Sequence, residues 1–289
     1  MKVKQLTLES SEFPKRLRTI PTPPKELYIL SSTDVNELLQ HPCLAVIGSR
    51  KVSAYGKAVT SGLAGELAKA GVVIISGLAL GMDGIAHQAT IDAGGLTIAV
   101  LPTGFNRIYP ATHHGLAQQI LSSGGALISE YPPDAGVTHK GVYIARNRIV
   151  SGLCDALLIT EAATKSGTLH TAEFALEQGK DVLAVPGNIT SPTSAGTNNL
   201  IKAGATPVTD VSDVFHALGI EQGKTAHDAP TSSNPNEQLL LDLLVNGTSD
   251  GRILLEESRL PVTIYNQALT MLEIRGHIRP LGNDNWGLQ

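Results

Sequence analysis

Residues 44–51 read Leu44-Ala45-Val46-Ile47-Gly48-Ser49-Arg50-Lys51, an apolar run that gives way at once to a glycine, a hydroxyl and two cations. Four apolar side chains in succession leave no polar face, which is how a parallel strand covered by helices on both sides reads. A helical pattern follows from Tyr55-Gly56. Strand, small polar loop, helix is the unit of a nucleotide-binding sheet, whose ligands sit beyond the C-terminal ends of the strands.

The same unit recurs outward from this stretch. Apolar runs at 72–76, 96–101, 126–129, 156–160 and 182–186 read as further buried strands. Helical patterns at 56–70, 83–93, 113–121, 146–152 and 168–178 alternate with them. This rhythm predicts an α/β fold, a Rossmann-like doubly wound and mostly parallel sheet, over residues 44–218. Residues 1–43 are poorly periodic, with four prolines between Pro14 and Pro24, and read as an N-terminal arm and linker. Residues 219–236 are rich in Gly, Pro, Ser, Thr and Asn and read as a second linker. Residues 237–289 predict three short helices, at 237–245, 251–257 and 263–274, then a hairpin of 277–280 with 285–288. That is the outline of a small winged-helix module.

Three loops carry the chemistry. In the first, Gly48 permits close backbone approach, Ser49 and Ser53 offer hydroxyls, and Arg50 is a bidentate donor for a phosphodiester with Lys51 beside it. The spacing fits neither a Walker loop nor the Gly-x-Gly-x-x-Gly of dinucleotide enzymes. In the second, Arg146, Asn147 and Arg148 open a predicted helix, where cations oppose the helix dipole unless an anion lies near. In the third, Lys165, Ser166 and Gly167 lead into Thr168 and offer N–H groups plus an ammonium. Phe105, Tyr109 and Tyr143 lie near the same edge and either stack on bases or pack beneath their loops. Asp83 is expected to cap the helix that carries His87, itself either a general base or a buried hydrogen-bonded ring. Glu161 is read as an ion-pair partner for one of the arginines, or as an acid.

No catalytic cysteine, acid pair or metal-ligand cluster accompanies these loops, and His113, His114 and His139 lack acidic or thiol neighbours at metal spacing. No cofactor and no metal are expected. The residues favour holding phosphates over breaking bonds, so the first expectation is a nucleic-acid-binding protein rather than an enzyme.

The net charge of −4 at first opposes such a partner. The whole deficit, however, lies in residues 217–289, with five basic residues against nine acids. Residues 44–216 carry eleven against twelve, and Arg50, Lys51 and Lys57 precede the first acid, Glu66. Phosphate affinity depends on charges lining the groove, not on the whole-chain balance. Cys43 and Cys154 sit in or beside apolar runs and read as buried thiols of a reducing cytoplasm. Neither a signal peptide nor a membrane span is expected from the hydropathy of the chain.

Taken together, these segments resemble the bacterial DNA-processing protein A family (DprA, also called Smf). The resemblance rests on Gly48-Ser49-Arg50 through Tyr55-Gly56, Ser76-Gly77-Leu78-Ala79 through Asp83 to His87, Thr97–Leu101 through Tyr109-Pro110, and Ser129-Glu130-Tyr131-Pro132-Pro133. It continues through Arg146-Asn147-Arg148-Ile149, Lys165-Ser166-Gly167 to Thr171-Ala172, and Val185-Pro186-Gly187 to Gly204-Ala205. Before Arg146 the family usually has a Phe-Pro pair where this chain has Tyr143-Ile144. The resemblance implies a Rossmann-like homodimer that binds and protects single-stranded DNA and loads the RecA recombinase in natural transformation. It also implies no enzymatic activity. The segment around Leu269–Glu273 and Gly276 is similar to the winged-helix module of some members. With its acidic balance, that module is expected to contact protein rather than DNA.

The alternative is a nucleoside-monophosphate phosphoribohydrolase of the cytokinin-activating type. Those enzymes place carboxylates just after a Gly-Gly-x-Gly-Thr loop, whereas Ser166–Thr171 has His170 and Thr171 there, and Glu173 comes later.

Overall fold

The computed structural model describes residues 2–136, 139, 141–220, 232–282 and 284–288. In it the described residues before Cys43 are not an arm, because they add two strands to the sheet. β1 (Lys4–Thr7) pairs antiparallel with β2 (Glu26–Ser31), which lies antiparallel against the strand at Ala126–Ser129. The one-turn helices α1 (Lys15–Arg18) and α2 (Val35–Leu38) bury Leu17 and Leu38, while Phe13 and Leu27 complete this end of the core. The prolines that blur the periodicity stand at turns: Pro14 just before α1, and Pro21, Pro23 and Pro24 on the approach to β2. There they remove no ladder hydrogen bond.

Strands and helices then alternate as the sequence predicts. The elements are β3 (Cys43–Ile47), α3 (Ala54–Lys69), β4 (Val73–Ser76), α4 (Met82–Asp92), β5 (Thr97–Leu101), α5 (His114–Ser122), β6 (Ala126–Ser129), α6 (Gly141–Leu153), β7 (Ala156–Ile159), α7 (Thr168–Glu177) and β8 (Asp181–Ala184). After them come α8 (Ala195–Lys202), β9 (Thr206–Pro207) and α9 (Val211–Ala217). Among the described residues the sheet order is β1-β2-β6-β5-β4-β3-β7-β8-β9, parallel from β6 through β9.

Side-chain alternation assigns each strand residue to a face. Cys43, Ala45 and Ile47 pack with Ile149, Val150 and Leu153 of α6 and with the N-terminal segment. Leu44 and Val46 pack on the other face with Ala64 and Leu67 of α3 and Val214 of α9. Both cysteines are buried and free, and burial pushes each thiol up to about 12, so neither is a nucleophile. From β3 the chain winds outward to β6 on one side, then returns beside β3 with β7 and winds the other way. The loops after β3 and β7 therefore flank the switch point, where open α/β sheets bind ligands.

The described residues from 232 to 288 form a second compact unit. It contains α10 (Pro235–Val245), α11 (Gly251–Ser258) and α12 (Val262–Ile274), followed by β10 (Ile278–Gly282) paired antiparallel with β11 (Asn285–Leu288). Leu240, Leu241, Leu254, Tyr265, Leu269, Leu272 and Ile278 make its own core. Asn234 caps α10 through Asn236 N–H, and Asp250 caps α11 through Arg252 and Ile253 N–H. Of the linker expected at 219–236, residues 221–231 lie outside the described residues. Among the described residues, no helix is long and apolar enough to cross a membrane.

Candidate nucleic-acid interface

The loops after β3 and β7 and one face of α6 converge on one cleft of about 820 Å³. Gly48, Ser49, Arg50 and Lys51 line it from the first loop, and Lys165, Ser166, Gly167 and Thr168 from the third. Arg146 and Asn147 enter from α6, with Gly77, Ala79 and Asp83 from the β4–α4 turn. Thr168 ties the two switch-point loops together, its hydroxyl donating to Gly48 O at 3.1 Å. Ser166 braces the third loop by accepting from Thr168 N–H at 3.3 Å.

The backbone cradle expected of these loops is largely occupied by the protein itself. In the first loop Ser49 N–H donates to Glu161 O at 2.7 Å, and Lys51 N–H to Ser49 Oγ at 3.0 Å. Ser53 lies behind the cleft as the cap of α3, accepting from Gly56 N–H at 2.9 Å. Its own N–H donates to a Glu161 carboxylate oxygen at 3.3 Å. Glu161, expected to pair with an arginine, instead holds this loop, with no ion pair among the described residues. In the β4–α4 turn, Asp83 Oδ2 accepts from Gly77 and Ala79 N–H at 3.1 and 3.4 Å. It ties that turn together rather than serving as the helix cap, a position that Gly81 takes. The groups left facing outward are cationic side chains. Arg50, Lys51 and Lys165 are exposed and make no ion pair among the described residues.

The two predicted arginines of the second loop behave differently, because α6 begins at Gly141 and carries them past its first turn. The dipole argument for an anion beside them therefore lapses. Arg146 is 5% exposed, and its guanidinium reaches under the β4–α4 turn to donate to Gly77 O and Val100 O. Burial lowers its pKa to about 10, offset in part by Asp83. Burial likewise raises the Asp83 carboxyl, offset chiefly by Arg146. Arg146 thus lines the floor of the cleft with Nη1 engaged by the two carbonyls and Nε by Asn147 Oδ1 at 3.2 Å. Arg148 is not in the cleft at all. It forms a two-pronged pair with Glu130, at 3.0 and 2.6 Å, and donates to Thr22 O at 2.9 Å, fastening the end of β6 to the N-terminal segment. From sequence spacing, Arg146 and Arg148 look equivalent. Their helix phase separates them.

His87 is the buried ring of the two expected readings. Its Nδ1 meets Thr97 Oγ1 at 2.7 Å, and Thr97 in turn donates to Ile74 O at 2.6 Å. Thr97 can then only accept from the ring, so Nδ1 carries the proton and Nε2, buried and without a partner among the described residues, does not. Burial, with help from His113 and Arg146, lowers its pKa to about 3. It is too deep to reach a ligand. His113 donates from Nδ1 to Leu78 O at 2.9 Å, holding a residue whose φ of 55° lies in the left-handed region.

The aromatics divide as well. Tyr109 and Tyr143 face each other at the cleft, ring centroids 5.6 Å apart and planes at 59°. The Arg50 guanidinium lies 5.6 Å from the Tyr143 centroid, a cation–π contact. With Leu80, Pro102 and Arg146 they border a small hollow opening beside the cleft. Phe105 is not there. It is buried with Leu78, Leu101 and Ile120, so it packs under its loop and cannot stack on a base.

Among the described residues, Asp83 is the one carboxylate lining the cleft, and no cluster of His, Cys, Asp or Glu could hold a metal ion. Glu173, the late acid of the hydrolase alternative, is exposed and paired with His170 at 3.0 Å.

Comparison with known proteins gives this geometry a family. The model for the DNA recombination-mediator protein A family matches residues 4–219, including the N-terminal strands. Protein Smf of Escherichia coli is 42% identical over 210 residues, 73% of this chain and 55% of that protein. The chain thus spans about half the length of that relative. The X-ray structure of DNA processing protein A from Streptococcus pneumoniae superposes with a TM-score of 0.68 at 36% identity, covering 75% of this chain and 74% of that one. The DNA processing protein A of Helicobacter pylori, whose structure is reported for its unique single-stranded DNA binding mode, gives 0.66 at 34% identity, covering 75% of this chain and 96% of that one. The chain belongs to the DNA recombination-mediator protein A family.

Proposed function

We propose that this protein binds single-stranded DNA across the switch-point cleft and acts in DNA processing during recombination and natural transformation, without catalysing a reaction on the DNA. The observation that carries this reading is the set of exposed cations without acidic partners, Arg50, Lys51 and Lys165, around one cleft beside a tyrosine pair. Cations supply affinity for a phosphate backbone of any sequence, and tyrosine faces supply base stacking that every base can use. Gly48, Ser49, Asn147, Ser166 and Gly167 shape the same wall, and the small residues let a strand approach it. Arg146 serves from beneath, holding the turn that borders the cleft.

The engagement of Asp83 Oδ2 by two backbone N–H groups supports binding over hydrolysis of a nucleotide. The recombination-mediator family model supports a recombinase of the RecA type as partner, with this protein loading it onto the strand that it protects. A homodimer working in the cytoplasm completes the proposal. The acidic three-helix-and-hairpin module contacts protein rather than DNA.

The test is fluorescence anisotropy of a labelled oligo-dT. Three phosphate contacts predict that log affinity falls with log salt at a slope of roughly −2. Arg50→Ala should weaken binding and flatten that slope, whereas a salt-independent affinity untouched by Arg50→Ala would refute the site. Incubation with AMP should release no adenine.

A further inference from the structure

Glu161 follows β7 and is 1% exposed, yet its carboxylate lies at the head of α3, the place where a Rossmann-like switch point ordinarily receives a ligand phosphate. One carboxylate oxygen accepts from Ser53 N–H at 3.3 Å. The other is buried and has no hydrogen-bond partner among the described residues. Gly56 makes room for it: a Cβ there would stand 2.5 Å from the carboxylate oxygen. The main-chain oxygen of the same residue takes Ser49 N–H at 2.7 Å. One N–H group at the positive end of a 16-residue helix thus meets an anion that the protein carries itself, while the main chain of the same residue takes a second N–H of the loop.

We propose that Glu161 is a specificity residue, its carboxylate standing where a ligand phosphate would otherwise bind and biasing the cleft toward the singly charged phosphodiesters of a polynucleotide and against doubly charged free nucleotides. The inference rests on the nucleic-acid reading of the cleft. Its basis is charge: a fixed negative group repels a phosphomonoester dianion twice as strongly as a diester monoanion at the same distance. At about 8 Å, with an effective dielectric constant of about 40, removing that charge tightens a monoanion about sixfold and a dianion about thirtyfold. The other phosphates of an oligonucleotide lie farther from Glu161 and are screened by salt over about 8 Å, so the gain of the monophosphate should be the larger.

The experiment compares full-length wild-type protein with Glu161→Gln, which keeps the shape and loses the charge. Thymidine 5′-monophosphate binding is read by equilibrium dialysis, and oligo-dT binding by anisotropy. The expected result is at least a tenfold tightening for the monophosphate and a clearly smaller one for the oligonucleotide. Equal changes for the two ligands, or no change, overturn the proposal. Glu161→Ala must show the same ordering. If neither variant retains the wild-type circular-dichroism spectrum, Glu161 belongs to the scaffold and the proposal fails. Should wild-type protein not bind oligo-dT, the nucleic-acid reading falls, while the monophosphate comparison still decides the role of Glu161.

Discussion

Arg50→Ala and Arg146→Ala each remove a guanidinium from the same cleft, and the structure predicts opposite consequences. Arg146 donates to Gly77 O and Val100 O, and it is the strongest charge offsetting the burial of Asp83. Its loss strands two buried acceptors and a carboxylate, which costs about 3–5 kcal/mol. With a urea m-value of about 2–3 kcal/mol/M, the unfolding midpoint should fall by roughly 1–2 M. Arg50 is exposed and gives up a cation–π contact worth about 0.5–1 kcal/mol, so its midpoint should barely move. Its loss should instead weaken oligo-dT binding by about 10- to 100-fold, the worth of a charged hydrogen bond. Urea titrations followed by circular dichroism, paired with anisotropy at fixed salt, measure both. An Arg146→Ala protein with the wild-type midpoint and the DNA defect of Arg50→Ala would refute the reasoning and make Arg146 a direct phosphate contact.

Other outcomes follow from the same contacts. Arg148→Ala should lower the urea midpoint by breaking the Glu130 pair while leaving oligo-dT affinity within about twofold, because Arg148 is outside the cleft. Tyr143→Ala should weaken oligo-dT binding by about 1–3 kcal/mol with little change in salt slope, since it removes stacking and no charge. His87 has a folded pKa of about 3 against 6.5 in the unfolded chain, so its contribution is fully present above 6.5. Below that, only the unfolded state takes up the proton, and stability should fall by about 1.4 kcal/mol per pH unit toward pH 3. His87→Gln should flatten that part of the pH profile of urea midpoints, and an unchanged slope would contradict the assignment.

The central sheet was legible because its strands are apolar on both faces and end abruptly in small polar residues, as in 44–51. The N-terminal strands were not, because β1 and β2 lie toward the sheet edge and are separated by a proline-rich stretch that hides their pattern. Arg50, Lys51 and Lys165 line one cleft because loops at a switch point must meet. Arg148 and Phe105 were misplaced because a one-dimensional neighbourhood does not give helix phase or the depth of a loop. Nothing in the residue types reveals that Glu161 and Asp83 already satisfy the N–H groups of two loops. The signal for this role of Glu161 is its place: a carboxylate just after an apolar strand next to the switch point.

The most direct test of the account is a crystal structure of the protein with oligo-dT bound. The account predicts a strand crossing the switch-point cleft, phosphates within hydrogen-bond reach of Arg50, Lys51 and Lys165, a base against Tyr109 or Tyr143, and Glu161 still seated on Ser53 N–H. A strand bound on another face, with those three cations free in solvent, would contradict it.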